Sequence, residues 1–245
     1  MERIDINTRD GICPAYLFRP QGSGPWPAAL VYMDGIGIRP AMLELGEKLA
    51  TFGYFVLLPD LFYRSGPYAP MDHTIFSDPE KRKILMEKFI GPLSTGDNGM
   101  SDTRAFLDFL NAQEAVSAGP IGVTGYCMGG FMSFTASGMY PDDITAVAAY
   151  HPARLATDDP KSPHLLAPKI RARMYIGRAS DDAGFPDDMR DRLEDALDAA
   201  GVDYALETYP AKHGFVFHDL PVYDAAAEEK HWGTLVALFH ATLKR

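Results

Sequence analysis

In Gly125-Tyr126-Cys127-Met128-Gly129-Gly130 a single thiol stands among close-set glycines, the spacing of a sharp strand-to-helix turn that carries an attacking atom. Glycine belongs at such flanks because a Cβ there would clash with the turn. The run Pro120-Ile121-Gly122-Val123-Thr124 before it fits a short buried strand, and Phe131-Met132-Ser133-Phe134-Thr135-Ala136 after it opens a helical apolar pattern. Cys127 then caps a helix N-terminus, where unpaired N–H groups and the helix dipole favour an anionic sulphur. The N–H of Met128 is suited to steady a developing oxyanion. Most free cysteines are simply small buried hydrophobes, so the choice rests on whether partners exist.

A thiol of this kind needs a base, and the base needs a carboxylate to orient it. Of seven histidines, His213 stands out in Pro210-Ala211-Lys212-His213-Gly214-Phe215, a loop after the last predicted strand and before the closing helix. His73, His164, His218, His231 and His240 fit solvated or helical surface positions. His151 directly follows a predicted strand and suits either substrate contact or loop packing. Upstream, Gly177-Arg178-Ala179-Ser180-Asp181-Asp182-Ala183-Gly184-Phe185-Pro186 offers two adjacent carboxylates where one is needed. Periodicity does not choose between them, since aspartate also serves in turns and helix caps.

Positioning these groups falls to an alternating series of elements. Strands are predicted over 3–7 and 12–19 as an opening hairpin, then over 27–33, 54–58, 120–124, 144–150, 170–176 and 204–209. Helices are predicted over 41–51, 102–111, from 131, over 187–200 and over 225–243. The order implies an α/β fold with a mostly parallel central sheet and helices on both faces, ligands lying beyond the carboxyl ends of the strands. Residues 1–245 read as a single domain, with 62–100, rich in proline, glycine and aromatics, as a candidate lid or pocket wall around a short helix at 81–89.

Composition narrows the function. A net charge of −10 argues against nucleic acid or an anionic membrane as the main partner. Only Cys13 and Cys127 are present, no apolar leader opens the chain, and no stretch approaches membrane-spanning length, which points to the cytoplasm. Cys13 reads as strand packing, and a Cys13–Cys127 bridge would idle the proposed nucleophile. No H-E-x-x-H or paired C-x-x-C predicts a metal. The glycines around 122–130 lack dinucleotide-binding spacing, and Gly91-Pro92-Leu93-Ser94-Thr95-Gly96 mimics a phosphate loop but has Asp97 in place of the lysine. No cofactor is expected.

Together with Tyr32-Met33-Asp34-Gly35-Ile36-Gly37, Leu58-Pro59-Asp60-Leu61, Phe185-Pro186 and His213-Gly214-Phe215, the cysteine motif resembles the dienelactone hydrolase family, α/β-hydrolases with a Cys-Asp-His triad. The resemblance spans nearly the whole chain. It implies Cys127, Asp182 and His213 as catalytic residues, because the family's acid stands four residues before a proline. It implies the N–H groups of Met128 and Gly35 as the oxyanion hole, and Asp34 as the acidic residue that contacts the resting thiol. The implied reaction is cleavage of an ester or lactone through a cysteine acyl-enzyme, as in carboxymethylenebutenolidases. A carboxylesterase or thioesterase on a less charged substrate, or a non-catalytic binding member, are the alternatives.

One departure bears on substrate. Archetypal members carry an arginine four residues after the catalytic histidine, where this chain has Phe217. Arg39, or a basic residue among Lys81, Arg82 and Lys83, is a candidate replacement cation, and His151 and Phe217 are candidate substrate contacts. Phe62, Tyr63, Tyr68 and Phe76 are candidate pocket walls. A small-molecule ester or lactone is the expected partner, with a monomer or small homo-oligomer as the assembly.

Overall fold

The computed structural model describes residues 1–69, 71–94 and 97–244, which fall into two compact units, Met1–Ala118 and Gly119–Arg245. In the first unit, β1 (Glu2–Thr8) and β2 (Gly11–Phe18) form an antiparallel hairpin in register from Glu2↔Leu17 to Thr8↔Gly11. The Thr8 hydroxyl donates to the Gly11 carbonyl at 2.8 Å and ties the turn. Strands β3 (Ala28–Tyr32) and β4 (Phe55–Pro59) are buried at every residue, which explains why they read as unbroken apolar runs. The order is β1-β2-β4-β3, with β4 antiparallel to β2 and parallel to β3. Helix α1 (Pro40–Thr51) joins β3 to β4 and begins on proline, whose fixed φ suits a first helical turn.

The 62–100 segment is more helical than its composition suggests. It holds two short 3-10 turns, Tyr63–Ser65 and His73–Phe76, then α2 (Pro79–Ile84), a π-helical turn over Leu85–Ile90, and α3 (Gly91–Ser94). Helix α4 (Asn98–Asn111) follows and starts four residues before the predicted helix. Phe62, Tyr68 and Phe89 pack with ring centroids 5.1–5.7 Å apart. Arg64 grips the fully buried Asp102 with two nitrogens at 2.6 and 2.9 Å, and Tyr63 donates to the same carboxylate at 3.1 Å. Tyr63 and Phe62 are therefore occupied in holding this segment to its own unit. The side chain of Phe76, and Thr95 and Gly96 of the phosphate-loop look-alike, lie outside the described residues.

The second unit is a run of four parallel strands in chain order, β5 (Ile121–Tyr126), β6 (Ile144–Tyr150), β7 (Arg173–Ala179) and β8 (Tyr204–Tyr209). Helices α5 (Met128–Met139), α6 (Asp187–Ala200) and α7 (Ala225–Leu243) accompany them. Alternation along β5 sends its residues to opposite faces. A Cβ on Gly122 would meet Phe239 and Leu243 of α7, whereas one on Gly125 would meet Gly129 of α5, so these helices cover opposite sides.

Strand β7 runs three residues later than the predicted 170–176. A 3-10 turn over Pro163–Lys169 is closed by the Ile170 N–H donating to Ala167, which draws Ile170 into the loop. At the other end Gly177, Arg178 and Ala179 look like turn residues yet are buried strand, with the Arg178 guanidinium paired to Asp187 at 2.7 Å.

Candidate active site

Strand β5 ends at Tyr126 and α5 begins at Met128, so the whole reversal falls on Cys127, held at φ +54° and ψ −114°. A Cβ on Gly125 would sit 2.0 Å from the Gly129 carbonyl oxygen, which is why only glycine is admissible there. The Cys127 N–H donates to Tyr150 at the end of β6 (3.1 Å), and its carbonyl accepts from Gly130 (3.0 Å) and Phe131 (3.2 Å). These bonds fix the backbone and leave the half-buried side chain at the C-terminal edge of the strands. Met128 opens α5, where the first N–H groups of a helix lack intrahelical acceptors. Both cysteines are free. Cys13 is fully buried, and burial, with Asp102 and Asp60, pushes its thiol well up from the ordinary value.

His213 follows β8 and lies between the thiol and a carboxylate. Its Nδ1 is 2.7 Å from Asp182 Oδ2, and the ring and the Cys127 sulphur act on one another electrostatically. Burial opposes charging of the ring, but the Cys127 sulphur and the Asp182 carboxylate outweigh it and lift the imidazole well above its usual range. Burial likewise raises the Asp182 carboxyl, and the bond to His213, the Gly184 N–H (2.8 Å) and Arg178 more than reverse this, leaving it below the usual range. Asp181 is exposed at φ +51° and serves the turn.

Among the described residues, the four non-glycine residues with positive φ are Cys127, His151, Arg154 and Asp181, all following strands β5, β6 and β7. Each such position costs on the order of 1–3 kcal/mol, a cost that clusters at functional sites.

The remaining candidates are placed as follows. Asp34 and Arg39 are buried in the first unit and form a bidentate ion pair, Nη1 to Oδ1 at 2.8 Å and Nη2 to Oδ2 at 2.9 Å, while the Ile36 N–H also donates to Asp34. Arg39 is thus a partner of Asp34. Lys81 is bound to Asp72 at 3.0 Å. Phe217 and His151 are buried in the second unit, in ring contact with Tyr126 at 5.2 and 6.0 Å.

His231 corrects the surface reading given to it. It is fully buried, its Nε2 lies 2.8 Å from the Tyr126 hydroxyl, and its carbonyl accepts from Tyr150 at 3.2 Å. The signal was there in the sequence, because His231 falls in line with Leu235 and Leu238 on the buried face of α7. Among the described residues, no cluster of three or more His, Cys, Asp or Glu side chains could hold a metal ion.

A mixed eight-stranded sheet with helices, carrying a strained thiol turn, a histidine loop and an aspartate loop after its strands, defines an α/β-hydrolase. The chain belongs to the dienelactone hydrolase family, whose sequence model matches residues 13–243. It is 27% identical over 237 residues to a Methylorubrum extorquens protein provisionally named a carboxymethylenebutenolidase, covering 95% of this chain and 78% of the relative. It is 25% identical over 225 residues to carboxymethylenebutenolidase 1 of Cupriavidus pinatubonensis, covering 91% and 90%. A Klebsiella pneumoniae structure provisionally assigned as a dienelactone hydrolase superposes with a TM-score of 0.84 at 22% identity, covering 97% of each chain. The protein is a dienelactone hydrolase-like hydrolase.

Proposed function

We propose that this enzyme cleaves an ester or lactone through a thioester on Cys127, with His213 as the proton carrier and Asp182 as its orienting partner. The observation that carries the reading is the position of His213, hydrogen-bonded to the Asp182 carboxylate and within electrostatic reach of a sulphur on a strained turn. Sγ of Cys127 attacks the carbonyl carbon, and any proton it carries passes to His213. The tetrahedral oxyanion is steadied by the Met128 N–H and, by the family pattern, that of Gly35. As the C–O bond breaks, His213 returns the proton to the leaving alkoxide, and a thioester remains. His213 then takes a proton from water, whose oxygen attacks the thioester carbon. Collapse expels the sulphur and frees the carboxylic acid.

Asp34 is assigned to modulation of the thiol, its charge offset by Arg39. The substrate is less charged than an anionic dienelactone. Phe217 stands where an arginine would meet a substrate carboxylate, and Arg39 is committed to Asp34. A substrate panel tests this: neutral aryl esters and uncharged lactones should turn over with kcat/KM at least about tenfold above a carboxylate-bearing dienelactone. A clear preference for the anionic lactone would overturn the substrate class, and loss of no activity in Cys127→Ala would overturn the mechanism.

A further inference from the structure

The end of β6 and the segment that follows it touch all three loops that carry the proposed triad. Tyr150 accepts the Cys127 N–H at 3.1 Å, and the Arg154 N–H donates to Gly184 of the acid loop at 2.8 Å. Between them, Pro152 packs so tightly on the nucleophile turn that a Cβ on Gly130 would approach it to 2.9 Å. The remaining contact belongs to His151, whose ring centroid lies 5.0 Å from that of His213 at an interplanar angle of 61°, edge against face.

His151 occupies this place against its own backbone preference. Its φ of +36° suits glycine, yet a ring is kept there with almost no solvent exposure, anchored by its N–H donating to Gly177 at 2.7 Å. Phe215 backs it at 5.2 Å and Tyr126 at 6.0 Å. Asp182 holds only one edge of the His213 ring, while about a third of the side chain (31%) faces solvent. A ring bonded at one edge can still swing about that bond, and a flanking ring in edge-to-face contact removes the freedom.

We propose that His151 is a positioning residue for the base, holding the His213 imidazole in the plane that spans Asp182 and the Cys127 sulphur. This rests on the triad assignment above. The role belongs to the ring as a packed aromatic body, so a phenyl group should fill it and glycine, despite relieving the backbone, should not.

With p-nitrophenyl acetate as the probe, His151→Gly should lower kcat roughly 10–100-fold with KM within about threefold, because misplacing a catalytic group by about an ångström costs that much. His151→Phe should recover at least about tenfold of the loss, which a merely structural defect would not predict. Thermal melting establishes that each variant is folded at the assay temperature; if the glycine variant is not, His151→Asn, also tolerant of positive φ, takes its place in the comparison. Wild-type kcat without the ring, a loss confined to KM, or a phenyl variant as slow as glycine would each overturn the proposal. Cys127→Ala assayed alongside separates the two failures. If it still turns over, the triad reading falls; if it is inactive while His151→Gly is normal, only the role of His151 falls.

Discussion

At the residue scale, the two adjacent aspartates offer the sharpest contrast. Asp182 accepts from His213 and from the Gly184 N–H, whereas Asp181 is exposed at the turn. Asp182→Asn keeps the shape but exchanges an acceptor oxygen for a donor, and steady-state kinetics on an aryl ester should show kcat falling by roughly 10³–10⁴. Asp181→Asn should stay within about threefold of wild type. The reverse order would assign the acid to the wrong residue. A further distinction separates the thiols: Cys13 is sealed in the first unit by β-strand packing and its pKa is driven up by burial, so it is no rival to Cys127 for an electrophile.

At the element scale, the β5–α5 junction concentrates the constraint. Gly125→Ala must push the Gly129 carbonyl away or unwind the first turn of α5, since the added carbon would lie 2.0 Å from that oxygen. A loss of at least about 3 kcal/mol in urea unfolding is expected, together with loss of activity. An alanine variant of wild-type stability would mean that the turn is not built as described. Much of this architecture could be read from residue order. The helices at 187–200 and 225–243 and the strands at 144–150 and 204–209 lie where their apolar periodicity puts them, because no competing local signal interrupts those segments. Residues that depend on distant partners were not legible. Arg178 reads as a turn residue until Asp187 is seen to receive it, and nothing local announces that Arg39 grips Asp34. The helix expected over 81–89 is present as α2 and the π-helical turn after it, whereas the short turns at 63–65 and 73–76 were obscured by the surrounding proline, glycine and charge, and the positive φ at His151 has only the weak signal that histidine tolerates it better than most residues.

At the scale of the whole molecule, pH links the site to stability. His213 is lifted above the ordinary imidazole value of about 6.5, so its contribution is fully present below that value and is lost as pH rises through the raised one. Asp182 is lowered below the ordinary carboxyl value of about 3.9, so its contribution is present above that value and is lost as pH falls through the lowered one. The stability difference between wild type and His213→Gln, followed by urea unfolding, should therefore be widest between these limits and should shrink in alkali. A difference that grew as pH rose above about 6.5 would carry the wrong sign. Among the described residues no helix is long and apolar enough to cross a membrane. The central claim concerns one bond, between Sγ of Cys127 and an acyl carbon. Rapid acid quench of the enzyme turning over p-nitrophenyl acetate, followed by peptide mass spectrometry, should find one acetyl group on the peptide containing Cys127 and none on that containing Cys13. Rapid turnover with the label absent from Cys127, or carried by another residue, would contradict the account.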